Sequence, residues 1–228
     1  MGGMGWGNDQ FDHPSGIWAR NGIDVFVADE GNHRIQRFDR SLNFVASFST
    51  REDNDPDVRF GYPAGVALSR QGELYLTDGE NTRVLRVSGF SRVERVFGGN
   101  DAGKGRLLNP SRLEIGPKDN LYVLDGDRVV VFDSFGNYLH EIGGAPDGAG
   151  MVICADVAGL MVLDKNNLIS FDGEDRLRNT LPRQSVCPDS LGAVRGMVAS
   201  LGRLHFLTAL GIYVVADPRT APDNVLTK

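Results

Sequence analysis

Cysteine, histidine and lysine are scarce in this chain, at two, four and four residues among 228. The two cysteines, Cys154 and Cys187, form neither a disulfide-rich framework nor a Cys-x-x-Cys metal or redox motif. Whether they pair is open at this level. A catalytic zinc needs about three converging ligands, and His13, His33, His140 and His205 are scattered along the chain with no common spacing. No apolar run approaches the ~18 residues that would suggest a membrane-spanning helix. The opening Met-Gly-Gly-Met-Gly-Trp has neither the basic nor the apolar region of a secretory signal. Location therefore stays open, and an exported form fits if the N-terminus has been trimmed. Phosphate loops of the Gly-x-x-x-x-Gly-Lys kind and Gly-x-Ser-x-Gly nucleophile elbows are absent as well.

Glycine, in contrast, is abundant. Its 29 residues are about twice the ordinary share and suit many tight turns between short strands. Hydrophobic residues make up 41%, enough for a folded core. The formal net charge of −6 argues against broad attraction to nucleic acid. Arginine supplies 20 of the 24 basic side chains, a bias toward planar, bidentate pairing.

The glycine-rich turns sit in an internal repeat. Residues 14–38 read Pro-Ser-Gly-Ile-Trp, an apolar strand ending at Asp29, then Glu-Gly-Asn-His-Arg-Ile-Gln-Arg-Phe. Forty-nine positions on, Pro63, Gly65, Asp78, Asn81 and Arg83 repeat Pro14, Gly16, Asp29, Asn32 and Arg34. A third copy begins at Pro110 and runs through Asp125, with a turn shortened so that Arg128 follows directly. Weaker fourth and fifth copies end their apolar strands at Asp164 and Thr208. Positions 29, 78, 125, 164 and 208 are separated by 49, 47, 39 and 44 residues. Such spacing is that of a β-propeller, in which each repeat supplies one four-stranded blade.

The Pro-x-Gly strand, the apolar strand ending in Asp and the x-x-Asn-x-Arg turn resemble the NHL-repeat family. The resemblance is full in the first two copies, partial in the third and confined to apolar spacing in the last two. It implies an all-β fold, a propeller of four-stranded antiparallel blades occupying 1–228 as one NHL-type domain. Five blades are readable, and six if a segment upstream is missing. The chain opens where an outer strand would end, since Met1-Gly2-Gly3 aligns with Phe97-Gly98-Gly99. The fifth copy has only Asn224-Val225-Leu226-Thr227 as material for its outer strand.

A structural role is expected for Asp29, Asn32, Arg34, Asp78, Asn81, Arg83, Asp125, Arg128 and Asp164. An Asp closing a strand can accept N–H groups of the turn that follows. Asn32 and Asn81 suit a left-handed turn position, and the arginines can lie between blades on carboxylates or carbonyls. A functional role is open for Arg112, Glu114 and Arg195. The two arginines stand where the best repeats carry glycine, on the strand expected to line the axis. They could form a channel-mouth pocket for an anion, or be neutralised internally by Glu114. The acidic stretch Glu52-Asp53-Asn54-Asp55-Pro56-Asp57 lacks the glycine and final glutamate of a calcium-binding EF-hand loop. No cofactor is called for, although neither calcium nor zinc is excluded.

The reading that follows is a non-enzymatic binding scaffold whose loops or channel mouth take an unidentified protein or peptide. Trp6, Arg51, Phe60 and Tyr62 are candidate exposed contacts. The family resemblance supplies two alternatives: a metal-dependent propeller enzyme of lyase or lactonase type, and an RNA-binding domain, since some animal NHL domains bind single-stranded RNA on a basic face. Here acids are interleaved with the arginines and aromatics are not grouped beside them. Nucleic acid is accordingly not the expected partner.

Overall fold

The computed structural model describes residues 2–143 and 151–220. Nineteen strands in these residues form five antiparallel sheets, each with its strands in sequence order. These are the blades of a five-bladed β-propeller. They fall into two compact units, one of residues 1–115 with 119–142, the other of 116–118 with 143–228.

Three blades make the first unit. Strands β1 (Pro14–Trp18), β2 (Asp24–Asp29), β3 (Arg34–Asp39) and β4 (Phe44–Phe48) form the first blade. The second comprises β5 (Pro63–Leu68), β6 (Leu74–Asp78), β7 (Arg83–Ser88) and β8 (Arg92–Phe97). The third comprises β9 (Pro110–Ile115), β10 (Leu121–Asp125), β11 (Arg128–Phe132) and β12 (Tyr138–Ile142). In the second unit, β13 (Val152–Asp156), β14 (Gly159–Leu163), β15 (Asn167–Phe171) and β16 (Leu177–Pro182) form the fourth blade. The fifth has three strands among the described residues, β17 (Val194–Ser200), β18 (Arg203–Thr208) and β19 (Gly211–Ala216). The proposed outer strand at 224–227 lies outside the described residues, as does Met1. A single α-helical turn, α1 (Arg183–Val186), follows β16.

Second strands are buried on both faces, so they read as continuous apolar runs; β6, β10 and β14 are buried at every position. Outer strands alternate, as β12 does with Tyr138, His140 and Ile142 half-buried between exposed Leu139 and Glu141. Cores lie between neighbouring blades. Phe26, Ile35 and Phe48 of the first blade pack on Val66, Leu76 and Leu85 of the second. Tyr75 and Val84 on the second blade's other face meet Leu113, Val123 and Val130 of the third. In the second unit Cys154, Met161 and Leu163 pack on Met197, Leu204 and Phe206. Cys154 and Cys187 are both buried in that cluster and form no disulfide.

The repeated strand-one glycine follows from crowding. A Cβ on Gly16 would stand 2.6 Å from the carbonyl oxygen of Ala64, and one on Gly65 would stand 2.9 Å from the Leu113 nitrogen. First strands of successive blades thus approach with backbone against backbone, where only glycine fits. At the matching place in the third blade Arg112 has a side chain.

Candidate functional site

The Asp, Asn and Arg of each good repeat join into one clasp. In the second blade, Asp78 ends β6 fully buried. Its Oδ2 accepts Asn81 Nδ2 at 2.8 Å and Arg83 Nε at 3.0 Å, and its Oδ1 accepts the Gly61 N–H at 3.1 Å. Arg83 Nη2 then donates to the Arg59 carbonyl at 2.6 Å. The first blade repeats the arrangement: Asp29 accepts from Asp12 N, Asn32 and Arg34. Arg34 reaches on to the carbonyls of Trp6, Gly7 and Gln10. In the third, Asp125 accepts Leu108 N, Asn109 N and Arg128, which donates also to the Arg106 carbonyl. Burial works against the Arg128 charge, yet the hydrogen bonds and charges of Asp125 and Glu141 outweigh it and raise its pKa.

Two details differ from expectation. The carboxylates chiefly hold the loop that precedes their own blade, not only the turn that follows. The left-handed position is one residue beyond the asparagine, at His33 (φ 51°) and Thr82 (φ 50°). Asn32 and Asn81 instead turn their amides onto the Asp carboxylate, and that contact fixes their backbone. The fourth blade has no arginine in this role, and Asp164 merely caps its turn through Asn166 N and Asn167 N.

In the first unit the clasps organise one face. A meander of four strands brings the turn between its second and third strands to the same end as the loop leading to the next blade. At this end lie the segment before Pro14, the turns at 30–33 and 79–82, and the loops 49–62 and 98–109. Trp6 is 73% exposed although its carbonyl is held by Arg34. Tyr62 is 47% exposed, packs edge-on against His33 with centroids 4.6 Å apart, and donates its N–H to His33 Nδ1. Arg51 pairs with Glu80 at 2.6 Å. Phe60 is not an exposed contact: it is fully buried against Phe48, because the 49–62 loop must cover the end of the interblade core. The acidic residues of 52–57 are exposed, and Asp53 and Asp55 accept backbone N–H groups two residues on.

A pocket of about 590 Å³ opens on this face, lined by residues 80–83 and 96–102. Nothing in the sequence pattern marked it, because half its wall comes from the variable loop after β8.

Arg112 and Glu114 project from the same side of β9, both half-buried, and Glu114 pairs with Arg20 at 3.1 Å. Burial pulls the Arg112 guanidinium down while the Glu114 charge opposes it. Arg195 is an exposed residue of β17 in the other unit. Among the described residues no group of three or more His, Cys, Asp and Glu side chains is placed to hold a metal ion.

Residues 60–86 match the model of the NHL repeat. The chain is 32% identical over 138 residues to the Protein brain tumor of Drosophila melanogaster, covering 59% of this chain and 13% of that protein. It is 33% identical over 136 residues to the B-box type zinc finger protein ncl-1 of Caenorhabditis elegans, covering 58% of this chain and 15% of that one. The chain thus spans under a sixth of either relative. Among solved structures, a gluconolactonase from Xanthomonas campestris superposes with a TM-score of 0.69 at 17% identity, over 92% of this chain and 74% of that one. That likeness concerns the fold alone. The animal matches correct one expectation. With that similarity to Protein brain tumor, nucleic acid is no longer set aside and belongs with the partner classes to be tested. The physical reason is that net charge is an average over the surface, whereas binding is decided by the local face. The repeat match, the five meander blades and the Asp–Asn–Arg clasps agree: the chain carries an NHL repeat at residues 60–86 and has a β-propeller fold.

Proposed function

We propose that the chain is a non-catalytic binding module whose partner, a protein or peptide, docks on the clasped turn face of the first three blades. The observation that carries this reading is the pairing of exposure with rigidity. Trp6 and Tyr62 present large apolar surface to solvent while Arg34 and His33 hold their backbones in place. Exposed aromatics on pre-organised backbone are the usual anchors of an interface, since little ordering entropy remains to be lost. Equilibrium titration of candidate partners against the native chain and the Trp6→Ala/Tyr62→Ala double variant tests it. A loss of at least about tenfold in affinity at unchanged melting temperature is the expected result. A partner indifferent to both substitutions would place its site elsewhere.

A second reading is favoured by the match to Protein brain tumor. Trp6, His33 and Tyr62 can stack on unpaired bases, making the same face a surface for single-stranded RNA. The readings part on salt. RNA affinity drops steeply with ionic strength through counterions released at every phosphate engaged, whereas a protein contact anchored on aromatics with a single screened ion pair loses far less over the same range.

A further inference from the structure

We propose that the pocket beside the second blade's Asn-x-Arg turn receives a cationic side chain, an arginine carried by a basic peptide. This deepens the protein-binding reading by naming the chemistry of the partner. The walls are the turn Glu80–Arg83 and the stretch Val96–Ala102, and the floor is half-buried Val96 and buried Phe97. The free groups above that apolar floor are mostly acceptors. Asp101 makes no hydrogen bond or ion pair among the described residues. Glu80 engages Oε2 with Arg51 and leaves Oε1 open. Asn81 spends its Nδ2 on Asp78 and the Arg59 carbonyl, which leaves its Oδ1 toward solvent or ligand. The one cation in the wall, Arg83, is already neutralised by the buried Asp78 and tied to the Arg59 carbonyl.

An anion would therefore meet an excess of carboxylate oxygens here, while a guanidinium would find a forked acceptor in Asp101 and an apolar bed for its methylene stem. The surroundings favour the same sign, with Glu52, Asp53, Asp55 and Asp57 exposed on the preceding loop of this face. The volume exceeds what one side chain fills, which leaves room for the flanking residues of an extended peptide.

Calorimetric titration with a short, end-blocked peptide carrying one arginine between glycines tests the proposal, beside matched peptides carrying lysine, citrulline or glutamate. The arginine peptide should bind most tightly, and neutral, isosteric citrulline at least about tenfold more weakly. Glutamate should not bind. Asp101→Asn should weaken the arginine peptide by a similar factor with the melting temperature unchanged, since Asp101 is exposed and supports nothing else. Equal affinity for arginine and citrulline, or no effect of Asp101→Asn, overturns the proposal. If the arginine peptide fails while another partner still depends on Trp6 and Tyr62, the pocket assignment falls alone. If the arginine series holds but every larger partner ignores Trp6 and Tyr62, the docking face is misplaced and the pocket stands.

Discussion

Asp78 shows how much one side chain carries. It is fully buried and accepts four hydrogen bonds, two from Asn81 in the turn, one from Arg83 of the third strand and one from Gly61 of the preceding loop. Asp78→Ala takes the carboxylate from Arg83 and from three N–H donors of Gly61 and Asn81, and breaking such a buried pair costs about 3 kcal/mol. A clear drop in the denaturation midpoint is expected, with partner affinity of the folded fraction little changed. Tyr75 is the other informative residue. Burial, the largest influence, pushes its phenol up to about 12, and its hydroxyl donates to the Ser134 carbonyl at 2.8 Å. The folded pKa lies above the unfolded value near 10, so its contribution to stability is whole below ~pH 10 and fades as pH rises toward 12. Ultraviolet titration should show one tyrosine ionising late, and Tyr75→Phe should remove that step and cost about 1 kcal/mol.

At the scale of elements, strand contact and turn chemistry decide stability. Gly65 sits where β5 meets β9, and Gly65→Ala forces a Cβ against the Leu113 nitrogen and Arg112 Cα. Backbone cannot yield as a flexible side chain would, so a loss of about 2 kcal/mol in denaturant unfolding is expected. The turns after the third strands rest on Asp39, Asp133 and Asp172, each accepting N–H groups two and four residues on. Hydrogen bonds from Asn43 hold Asp39 below the usual carboxylate range, and those from Arg176 and Glu174 do the same for Asp172. For Asp133 partial burial pushes upward, but bonds from Asn137 and Phe135 outweigh it. Because these folded pKa values are depressed, their stabilisation is present above about pH 4 and is lost as pH falls through the lowered values. Melting temperature should therefore decline on acidification below pH 4, and the Asp39→Asn/Asp172→Asn double variant should decline less.

Across the molecule, blades differ in how they are held. The first two carry complete Asp–Asn–Arg clasps, and the third keeps the Asp125–Arg128 pair without the asparagine amide. In the second unit Arg219 is buried between Asp156 and Asp217, with Nη2 2.7 Å and 2.8 Å from their carboxylates. Despite burial, those two carboxylates raise its pKa further and keep it charged throughout. The proposed docking surface follows the same division, since Trp6, Tyr62 and the pocket all belong to the first unit. Whole-protein affinity for a basic peptide should fall as salt is raised from ~50 to ~500 mM, because the open acceptors are screened by solvent ions. An affinity that rises with salt would point to apolar docking alone.

Blades are legible in the sequence because second strands buried on both faces write continuous apolar runs into the chain at blade-length spacing, and turns need particular residues. Asp29, Asn32 and Arg34 recurring as Asp78, Asn81 and Arg83 announced both unit and fold. The same pattern could not say which donors each Asp would choose, that His33 and not Asn32 would turn left-handed, or that Phe60 would be covered. Nor could it reveal the pocket at Glu80 and Asp101, which are 21 positions apart, because the repeated turn carries one and a variable loop the other. Local chemistry determined the strands, their spacing and their turns, since those depend on neighbours in sequence. Exposure, hydrogen-bond partners and the proposed docking face were decided only when loops of one blade came to rest on the next, because these are properties of contact between distant segments.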